Sequence, residues 1–156
     1  ITLEREMNFT DEKDPGLIPQ ILSKILDSSV NGITLADPDM EDMPLVYVNK
    51  AFEKMTGYTM EEVVGKNCRF MQGEDREHAL KERHMMQKAF KNNESLTLTF
   101  KNFRKNGEEF YNHLEMSPLF DSKGNLLYYL GVQLDVTQEI HDKEEIKRLN
   151  ELLKSK

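Results

Sequence analysis

The sequence predicts an α+β domain with a five-stranded antiparallel sheet, helices on one face of the sheet, and a flanking helix at each end of the chain. Three observations lead to this fold class. Two short apolar runs, GITLADPDM and PLVYVNKAF, are joined by an acidic turn that contains proline, which predicts a hairpin. Three longer strand candidates follow later in the chain and are separated by strong turn signals. The segment between the two groups has helical periodicity.

The chain begins with a polar, weakly patterned segment over residues 1–14, which we interpret as a loose lead-in. An amphipathic helix over 15–27 is predicted next and should end near Asn31-Gly32. Together these segments form an N-terminal region, 1–31, that caps the domain. The apolar face of the helix should be buried on the outer face of the sheet or against a second copy. Its members are Leu17, Ile18, Ile21, Leu22, Ile25 and Leu26.

The middle of the chain predicts several helices. The segment AFEKMTGYTMEEVVGKN divides into short helical pieces that stop at Gly57 and Gly65. Thr59, followed three residues later by Glu62, has the form of a capping box. A longer helix is predicted over HALKERHMMQKAFKNN, and the residues expected on its inner side are Leu80, His84, Met85, Ala89 and Phe90.

The three later strand candidates are SLTLTFKNF, EEFYNHLEMSPLFD and LLYYLGVQLDV, with turns at Lys105–Gly107 and at 122–125. They complete a domain that we expect to span residues 32–137. The last segment, 138–156, is highly charged and carries Ile146, Leu149 and Leu153 at heptad spacing. We interpret it as a truncated signalling or linker helix.

Composition excludes several classes of function. The formal net charge of −7 argues against a nucleic-acid surface, because phosphates would be repelled. No apolar run is long enough to span a bilayer, so neither membrane nor nucleic-acid contact is expected. One cysteine cannot form an internal disulfide, which fits a reducing, cytoplasmic setting. Because the chain starts at Ile1, we expect it to be a piece of a longer protein.

A candidate cofactor pocket is indicated by three amides in adjacent strand candidates. Asn102, Asn112 and Gln133 each present a hydrogen-bond donor and an acceptor, which suits a planar heteroaromatic ring. The alternative is that these amides face solvent, and strand alternation alone does not decide between the two. The apolar neighbours able to flank such a ring are Leu98, Leu114, Met116 and Leu130.

The only cysteine, Cys68, lies in the stretch GKNCRFMQG. Taken alone, a single cysteine is most often an inert apolar residue in a core. The histidines offer no metal-ligand spacing with it, so no metal site is predicted.

The stretch GKNCRFMQG closely resembles the GXNCRFLQG motif of LOV (light-oxygen-voltage) photoreceptor domains, a flavin-binding branch of the PAS family. It differs only at Met71, where leucine is usual. The resemblance extends over residues 33–137 and includes VYVNKAFEKMTGYTMEEVVGKNCRFMQG, NFRKNGEEFYNHLEMSPLFDSKGN and YYLGVQLDVT. The chain is therefore identified as a member of this family, with the PAS/LOV fold as the expected fold.

The resemblance implies a noncovalently bound flavin, usually FMN and less often FAD. Cys68 matches the cysteine that attacks carbon C4a of the flavin after blue-light excitation. Asn67 and Gln72 match positions that contact the flavin chain and ring. Arg69 matches the arginine that pairs with the FMN phosphate, a charge-assisted bond.

The same resemblance implies roles for the three amides. Asn102 and Asn112 match the pair that binds the pyrimidine edge of the ring, and Gln133 matches the glutamine beside flavin N5. Protonation of N5 in the light would favour rotation of the Gln133 amide, which would change the hydrogen bonds of the last strand and bias the terminal helix.

Two features depart from the family pattern. A second phosphate-binding arginine is common on the helix after the motif, and Gln87 falls there, with Arg83 or His84 as substitutes about one turn earlier. FMN and FAD therefore both remain open. Met71 and Met116 fall at apolar positions near the ring, where softer packing should change the lifetime of the light state.

The expected function is that of a blue-light sensor domain and not of an enzyme, with an effector attached elsewhere in the full-length protein. A homodimer through the N- and C-terminal helices is a further expectation. The rival interpretations are a flavin-free PAS interaction module and a flavoenzyme or redox switch that uses Cys68 as a resolving thiol. A flavin-free module would be colourless, and a redox switch would need a second cysteine or a hydride donor.

Overall fold

The structure of the chain, a computed structural model, describes residues 16–74 and 76–156. The predicted lead-in over 1–14 lies outside these residues. One five-stranded sheet has the order β2-β1-β5-β4-β3, and every neighbouring pair is antiparallel, which confirms the predicted fold class. The strands are β1 (Gly32–Ala36), β2 (Leu45–Val48), β3 (Leu96–Phe103), β4 (Glu109–Phe120) and β5 (Leu126–Asp135).

The helices in the described part of the chain flank the sheet or connect its strands. They are α1 (Leu17–Ser28), α2 (Lys50–Thr56), α3 (Met60–Val63), the 3₁₀ helix η1 (Cys68–Gln72), the 3₁₀ helix η2 (Glu77–Ala79), α4 (Leu80–Asn92) and α5 (Thr137–Lys154). The capping box predicted at the start of α3 is present, since Thr59 and Glu62 each bond the backbone N–H of the other. None of these helices has the length and the apolar character needed to cross a membrane.

Two strand groups join along one ladder. The β1–β2 hairpin comes early in the chain and the β3-β4-β5 meander comes late, and β1 pairs with β5 from Gly32 opposite Gln133 to Ala36 opposite Tyr129. This pairing brings Thr34 of β1 directly beside Gly131 of β5. The site described below is therefore assembled from segments about a hundred residues apart in the sequence.

Two apolar clusters pack on the inner face of the sheet. The first joins β2, α2, α3 and η1 through Leu45, Val48, Phe52, Val63 and Met71. The second joins η2 with β3 and β4 through Ala79, Phe100, Leu114 and Met116. Burial of these side chains provides the main driving force for closing the helices over one face of the sheet.

Helix α4 presents a partly different face to the domain from the one predicted. Leu80 and Met85 are 48% and 40% exposed, and His84 is exposed as well. Ala89 is buried and Phe90 packs on the second cluster, as predicted, and Met86 packs there in addition. The prediction for Leu80, His84 and Met85 was wrong because this helix covers a cavity, so its inner face includes polar residues that an apolar periodicity does not reveal.

Helix α1 also differs from its prediction. It ends at Ser28, so that Ser29, Val30 and Asn31 form the link to β1. Its apolar face is only partly covered by the described residues: Ile21 and Leu26 are half-buried, whereas Leu22 and Ile25 are 48% and 58% exposed. The sheet therefore does not cover Leu22 and Ile25, and the alternative of a second copy stays a prediction.

The buried side chain of Asn49 ties α1 to the rest of the domain. Its Oδ1 accepts hydrogen bonds from the backbone N–H groups of Ile33 (2.8 Å) and Phe52 (3.1 Å). Its Nδ2 donates to the carbonyl oxygens of Leu26 (2.8 Å) and Asn31 (3.0 Å). Asn49 is only 1% exposed, so these bonds satisfy backbone groups from three elements that water reaches poorly.

Replacing Asn49 with alanine should lower the free energy of unfolding by about 2 to 4 kcal/mol, because it leaves several backbone groups without partners. Urea unfolding followed by circular dichroism measures this loss. Asn125→Ala is the matched control, because the Asn125 side chain makes one exposed bond to Asp121 and should cost less than about 0.5 kcal/mol. Equal losses in the two variants would contradict the role assigned to Asn49.

Candidate functional site

A cavity lies between the inner face of the sheet, η1 and α4. It has an empty volume of ≈ 950 Å³, counting the part of its mouth that is open to solvent. Its polar lining comes from η1, α4 and the three adjacent strands β3, β4 and β5, together with Thr34 of β1. The predicted site residues that line it are Asn67, Cys68, Arg69, Met71, Gln72, Arg83, Gln87, Asn102, Asn112, Leu114, Met116, Leu130 and Gln133.

Cys68 is the first residue of η1, and the preceding residue positions it. Asn67 is the N-cap of this 3₁₀ helix, and its Oδ1 accepts a hydrogen bond from the Arg69 N–H at 3.0 Å. The thiol lines the cavity and is partly buried. Burial raises the pKa of Cys68 above its ordinary value, and the nearby Arg69 opposes this only weakly. The thiol is therefore protonated at neutral pH.

A row of four polar side chains crosses the inner face of the sheet. Asn112 donates through Nδ2 to Asn102 Oδ1 at 3.1 Å and to Gln133 Oε1 at 2.8 Å. Gln133 in turn donates through Nε2 to Thr34 Oγ1 at 3.2 Å. All four side chains are buried, with exposures of 1 to 5%. The alternative that the amides face solvent is therefore wrong.

Three buried oxygen atoms of residues that line this cavity have no partner among the described residues. They are the amide oxygens Asn112 Oδ1 and Gln72 Oε1 and the hydroxyl of Tyr129, and all three side chains are at least 95% buried. A buried acceptor without a donor is costly, and the usual explanation is a ligand or water that supplies the donor. The heteroaromatic edge of a flavin alternates N–H and C=O groups, so free acceptors beside amide donors fit it.

The predicted apolar walls are only partly correct. Met71, Leu114 and Met116 line the cavity and are buried. Leu98 does not line it; it packs against the second apolar cluster. Leu130 lines the cavity as predicted, although it is only half-buried and alternates with the buried Tyr129 and Gly131 of β5. The prediction for Leu98 failed because alternation fixes the face of a residue but not its distance from the cavity.

The charged groups of the site lie near the mouth. Arg69, Arg83 and Gln87 all line the cavity, whereas His84 does not. The guanidinium of Arg69 forms an ion pair with Asp42 of the β1–β2 loop. This bond lowers the pKa of Asp42 and raises that of Arg69, so both groups are ionised at neutral pH.

Sequence reasoning missed nine of the residues that line the cavity. Three of them, Phe100, Tyr129 and Gly131, lie two or four residues before a predicted amide in the same strand, so strand alternation could have found them. The others come from β1, from the β1–β2 loop and β2, and from α4; helical periodicity had placed Phe90 on the inner side of α4, and no local pattern marked the rest. The full set is Thr34, Ala36, Met43, Leu45, Met86, Phe90, Phe100, Tyr129 and Gly131.

Comparison with known proteins places this architecture in a family. The sequence profile of the PAS domain matches residues 30–138. The solved LOV domain of an Erythrobacter litoralis blue-light activated histidine kinase is 44% identical, with a TM-score of 0.64, and the match covers 69% of this chain and 96% of that domain. The chain belongs to the LOV branch of the PAS family. It is a blue-light sensor domain.

Two further relatives of this LOV domain are longer proteins. The curated blue-light-activated histidine kinase 2 of Erythrobacter litoralis (strain HTCC2594) is 47% identical over 106 residues, which cover 68% of this chain and 30% of the kinase. The structure of an RNA-binding light-oxygen-voltage receptor has a TM-score of 0.81 and 35% identity, over 99% of this chain and 42% of that receptor. The chain thus spans less than half the length of these two proteins.

The raised pKa of Cys68 has a measurable consequence. In flavin-free protein the rate of alkylation by iodoacetamide should rise with pH along a curve whose midpoint lies above that of the unfolded chain, because only the thiolate reacts. At pH 8 the folded LOV domain should therefore react more slowly than the same chain in urea, where the ordinary pKa returns. A folded-state midpoint at or below that of the unfolded chain would show that burial does not control this thiol.

Proposed function

We propose that this LOV domain senses blue light by binding FMN and by forming a reversible bond between the Cys68 sulfur and carbon C4a of the flavin. The observation that supports this most strongly is the convergence of one thiol and a row of buried amides on a single cavity. The thiol belongs to Cys68, and the amides belong to Asn102, Asn112 and Gln133. A protein that used the cysteine only for packing would not need two unpartnered amide oxygens in the same cavity.

A flavin, when bound, supplies absorption of blue light and an excited state in which N5 becomes basic and C4a becomes open to attack. Cys68 contributes both the sulfur that bonds to C4a and the proton that N5 takes up, so no external electron donor is needed. Because burial raises the pKa of this thiol, the proton is in place before illumination. The reverse step returns the proton to sulfur and breaks the bond, which makes the cycle reversible in the dark.

The groups at the mouth support a phosphorylated flavin such as FMN. Arg69 and Arg83 both line the cavity, and arginine suits the planar, multidentate binding of a phosphate. Arg83 supplies the second cation that the family often carries at the position of Gln87. Asn67 orients the first turn of η1 and lines the same region.

Replacing Cys68 with alanine should leave flavin binding intact and abolish the light-induced bleach. The measurement is a visible absorption spectrum of the purified chain before and after a blue flash. The wild type should show structured flavin absorption that bleaches and then returns in the dark. A wild type that stays coloured without bleaching would contradict the role of Cys68, and a colourless protein after addition of FMN would contradict flavin binding.

The light signal leaves the site through β5. Gln133 lies two residues before Asp135, whose Oδ1 accepts hydrogen bonds from the N–H (3.0 Å) and the hydroxyl (2.5 Å) of Thr137. Thr137 begins α5, and its Oγ1 accepts from the Tyr111 N–H at 2.9 Å. Rotation of the Gln133 amide exchanges its donor and acceptor, so its bonds to Asn112 and Thr34 change together. We infer that this change in β5 loosens or tightens the first turn of α5.

Replacing Gln133 with leucine should keep the bleach and weaken the response of α5, because leucine has no donor and acceptor to exchange. Hydrogen–deuterium exchange of residues 137–154, compared in the dark and under steady blue light, measures this response. In the variant the light-dependent difference should fall to less than half that of the wild type. Gln138→Leu is the matched control, since the Gln138 side chain bonds only Asp142 on the exposed side of α5. An unchanged response in Gln133→Leu would contradict this route.

The flanking helices support attachment to an effector in a longer protein. α5 has no buried residue in the structure, and its apolar side chains Ile146, Leu149 and Leu153 are 48 to 71% exposed. Leu22 and Ile25 of α1 are similarly exposed. We infer that these faces contact an effector or a second copy of the chain in the full-length protein. Any catalytic activity belongs to that effector and not to this domain.

A further inference from the structure

We propose that Asp42 determines how strongly the cavity distinguishes phosphorylated from unphosphorylated flavins, because it holds Arg69 in an ion pair with which a phosphate must compete. The inference rests on the proposed function, since it assumes a flavin in this cavity. It concerns a residue of the β1–β2 loop that lies outside the sequence motif around Cys68. Asp42 is therefore a specificity residue and takes no part in the reaction of the thiol.

An ion pair and two hydrogen bonds link three residues where the β1–β2 loop meets η1. The Arg69 guanidinium pairs with the Asp42 carboxylate, and Asn67 Nδ2 donates to the Asp42 carbonyl oxygen at 2.7 Å. Asn67 Oδ1 also accepts from the Arg69 N–H at 3.0 Å, so the two η1 residues are themselves joined. The loop is thus fastened beside Arg69 through both the side chain and the backbone of Asp42.

The backbone at this point adopts a conformation that side chains disfavour. Asp42 and Met43 are consecutive non-glycine residues with φ of 65° and 46°, in the left-handed region. Such conformations are retained where surrounding contacts hold them. The contacts at Asp42 are those to Asn67 and Arg69, and Met43 lines the cavity, so the same short turn both engages the arginine and shapes the wall.

The ion pair reduces the positive charge that the mouth offers to an anion. Arg83 has no carboxylate partner among residues 16–74 and 76–156, whereas Arg69 is already neutralised by Asp42. A phosphate near Arg69 would meet the Asp42 carboxylate at short range, and like charges repel. Asp42 is half-exposed, so it can turn to solvent when a phosphate takes its place. A ligand without a phosphate does not compete for Arg69, so its affinity should depend little on the Asp42 carboxylate.

The test compares the affinities of FMN and riboflavin for flavin-free protein, measured by quenching of flavin fluorescence. Asp42→Asn keeps the size of the side chain and the tolerance of asparagine for the left-handed region, and it removes the negative charge. We expect the ratio of the FMN association constant to the riboflavin association constant to rise by about threefold or more. Most of this rise should come from tighter binding of FMN. The gain should shrink at high salt, because it is electrostatic.

Two further variants separate the ion pair from general charge effects. Asp39→Asn removes the same charge from the same loop, where no ion pair of Asp39 is found in the described part of the chain, so the ratio should stay within error of the wild type. Arg69→Gln should lower the ratio, and adding Asp42→Asn to it should produce little further change. Non-additivity of this kind is the signature of a direct interaction.

The outcomes are distinguishable. An unchanged or lower ratio in Asp42→Asn, or an equal rise in Asp39→Asn, overturns the role of Asp42 and leaves flavin binding by the domain standing. Failure of the wild type to bind either flavin overturns the proposed function and this inference with it. Circular dichroism of each variant shows whether the fold is retained, and Asp42→Ser repeats the charge removal with a different side chain.

Discussion

A hydrogen-bonded row of buried polar side chains crosses four neighbouring strands of the sheet, and the candidate site is arranged around it. Thr34, Gln133, Asn112 and Asn102 lie on β1, β5, β4 and β3 and each bonds the next. Unpaired polar groups in an interior are costly, so the row is stable only when every strand keeps its register. A slip of one residue in any strand would move its member of the row to the outer face and leave the neighbour unpaired. Strands β1 and β5 must also approach each other closely at this point, because a Cβ atom at Gly131 would lie only 2.5 Å from Thr34 Oγ1.

The site separates a neutral interior from a charged rim. Inside, burial keeps the Cys68 thiol protonated, and the two apolar clusters supply walls that exclude water. At the rim, Arg69 and Arg83 remain near solvent, where an ionised group has a small desolvation cost. A ligand with a planar polar ring and an anionic tail satisfies both environments at once. One short helix, η1, spans this division, because it carries both the buried Cys68 thiol and the Arg69 guanidinium.

Apolar side chains are better buried in the centre of the domain than in its two terminal helices. Asn49 secures the end of α1 through backbone groups, yet the apolar side chains of that helix remain exposed. α5 is anchored at its first turn by Asp135 and Thr137 and then leaves the sheet with no buried residue. Two of the relatives with which it aligns, a blue-light-activated histidine kinase and an RNA-binding receptor, are more than twice its length.

The local sequence determined the elements of this LOV domain, and the tertiary structure decided which residues meet in the site. Strands, turns and the Thr59–Glu62 capping box followed from the sequence, because periodicity, turn residues and caps act over a few neighbouring residues. The motif around Cys68 likewise identified the family, and it contains five of the residues that line the cavity. The inner face of α4 was wrong for Leu80, His84 and Met85, because the lining residues of this helix are polar as well as apolar and depend on a cavity formed by distant strands.

Which residues line the cavity could be decided only from the complete tertiary structure. Leu98 was assigned to the cavity from its strand, but it packs against the second apolar cluster and does not line the cavity. Thr34 and Asp42 were missed because their partners lie 99 and 27 residues away in the sequence. The sequence by itself therefore determined the elements and the family, and it singled out Cys68 as a candidate site residue. Only the packing of the β1–β2 hairpin against β5 and η1 decided the contacts of Thr34 and Asp42, since long-range pairing is not encoded in any local pattern.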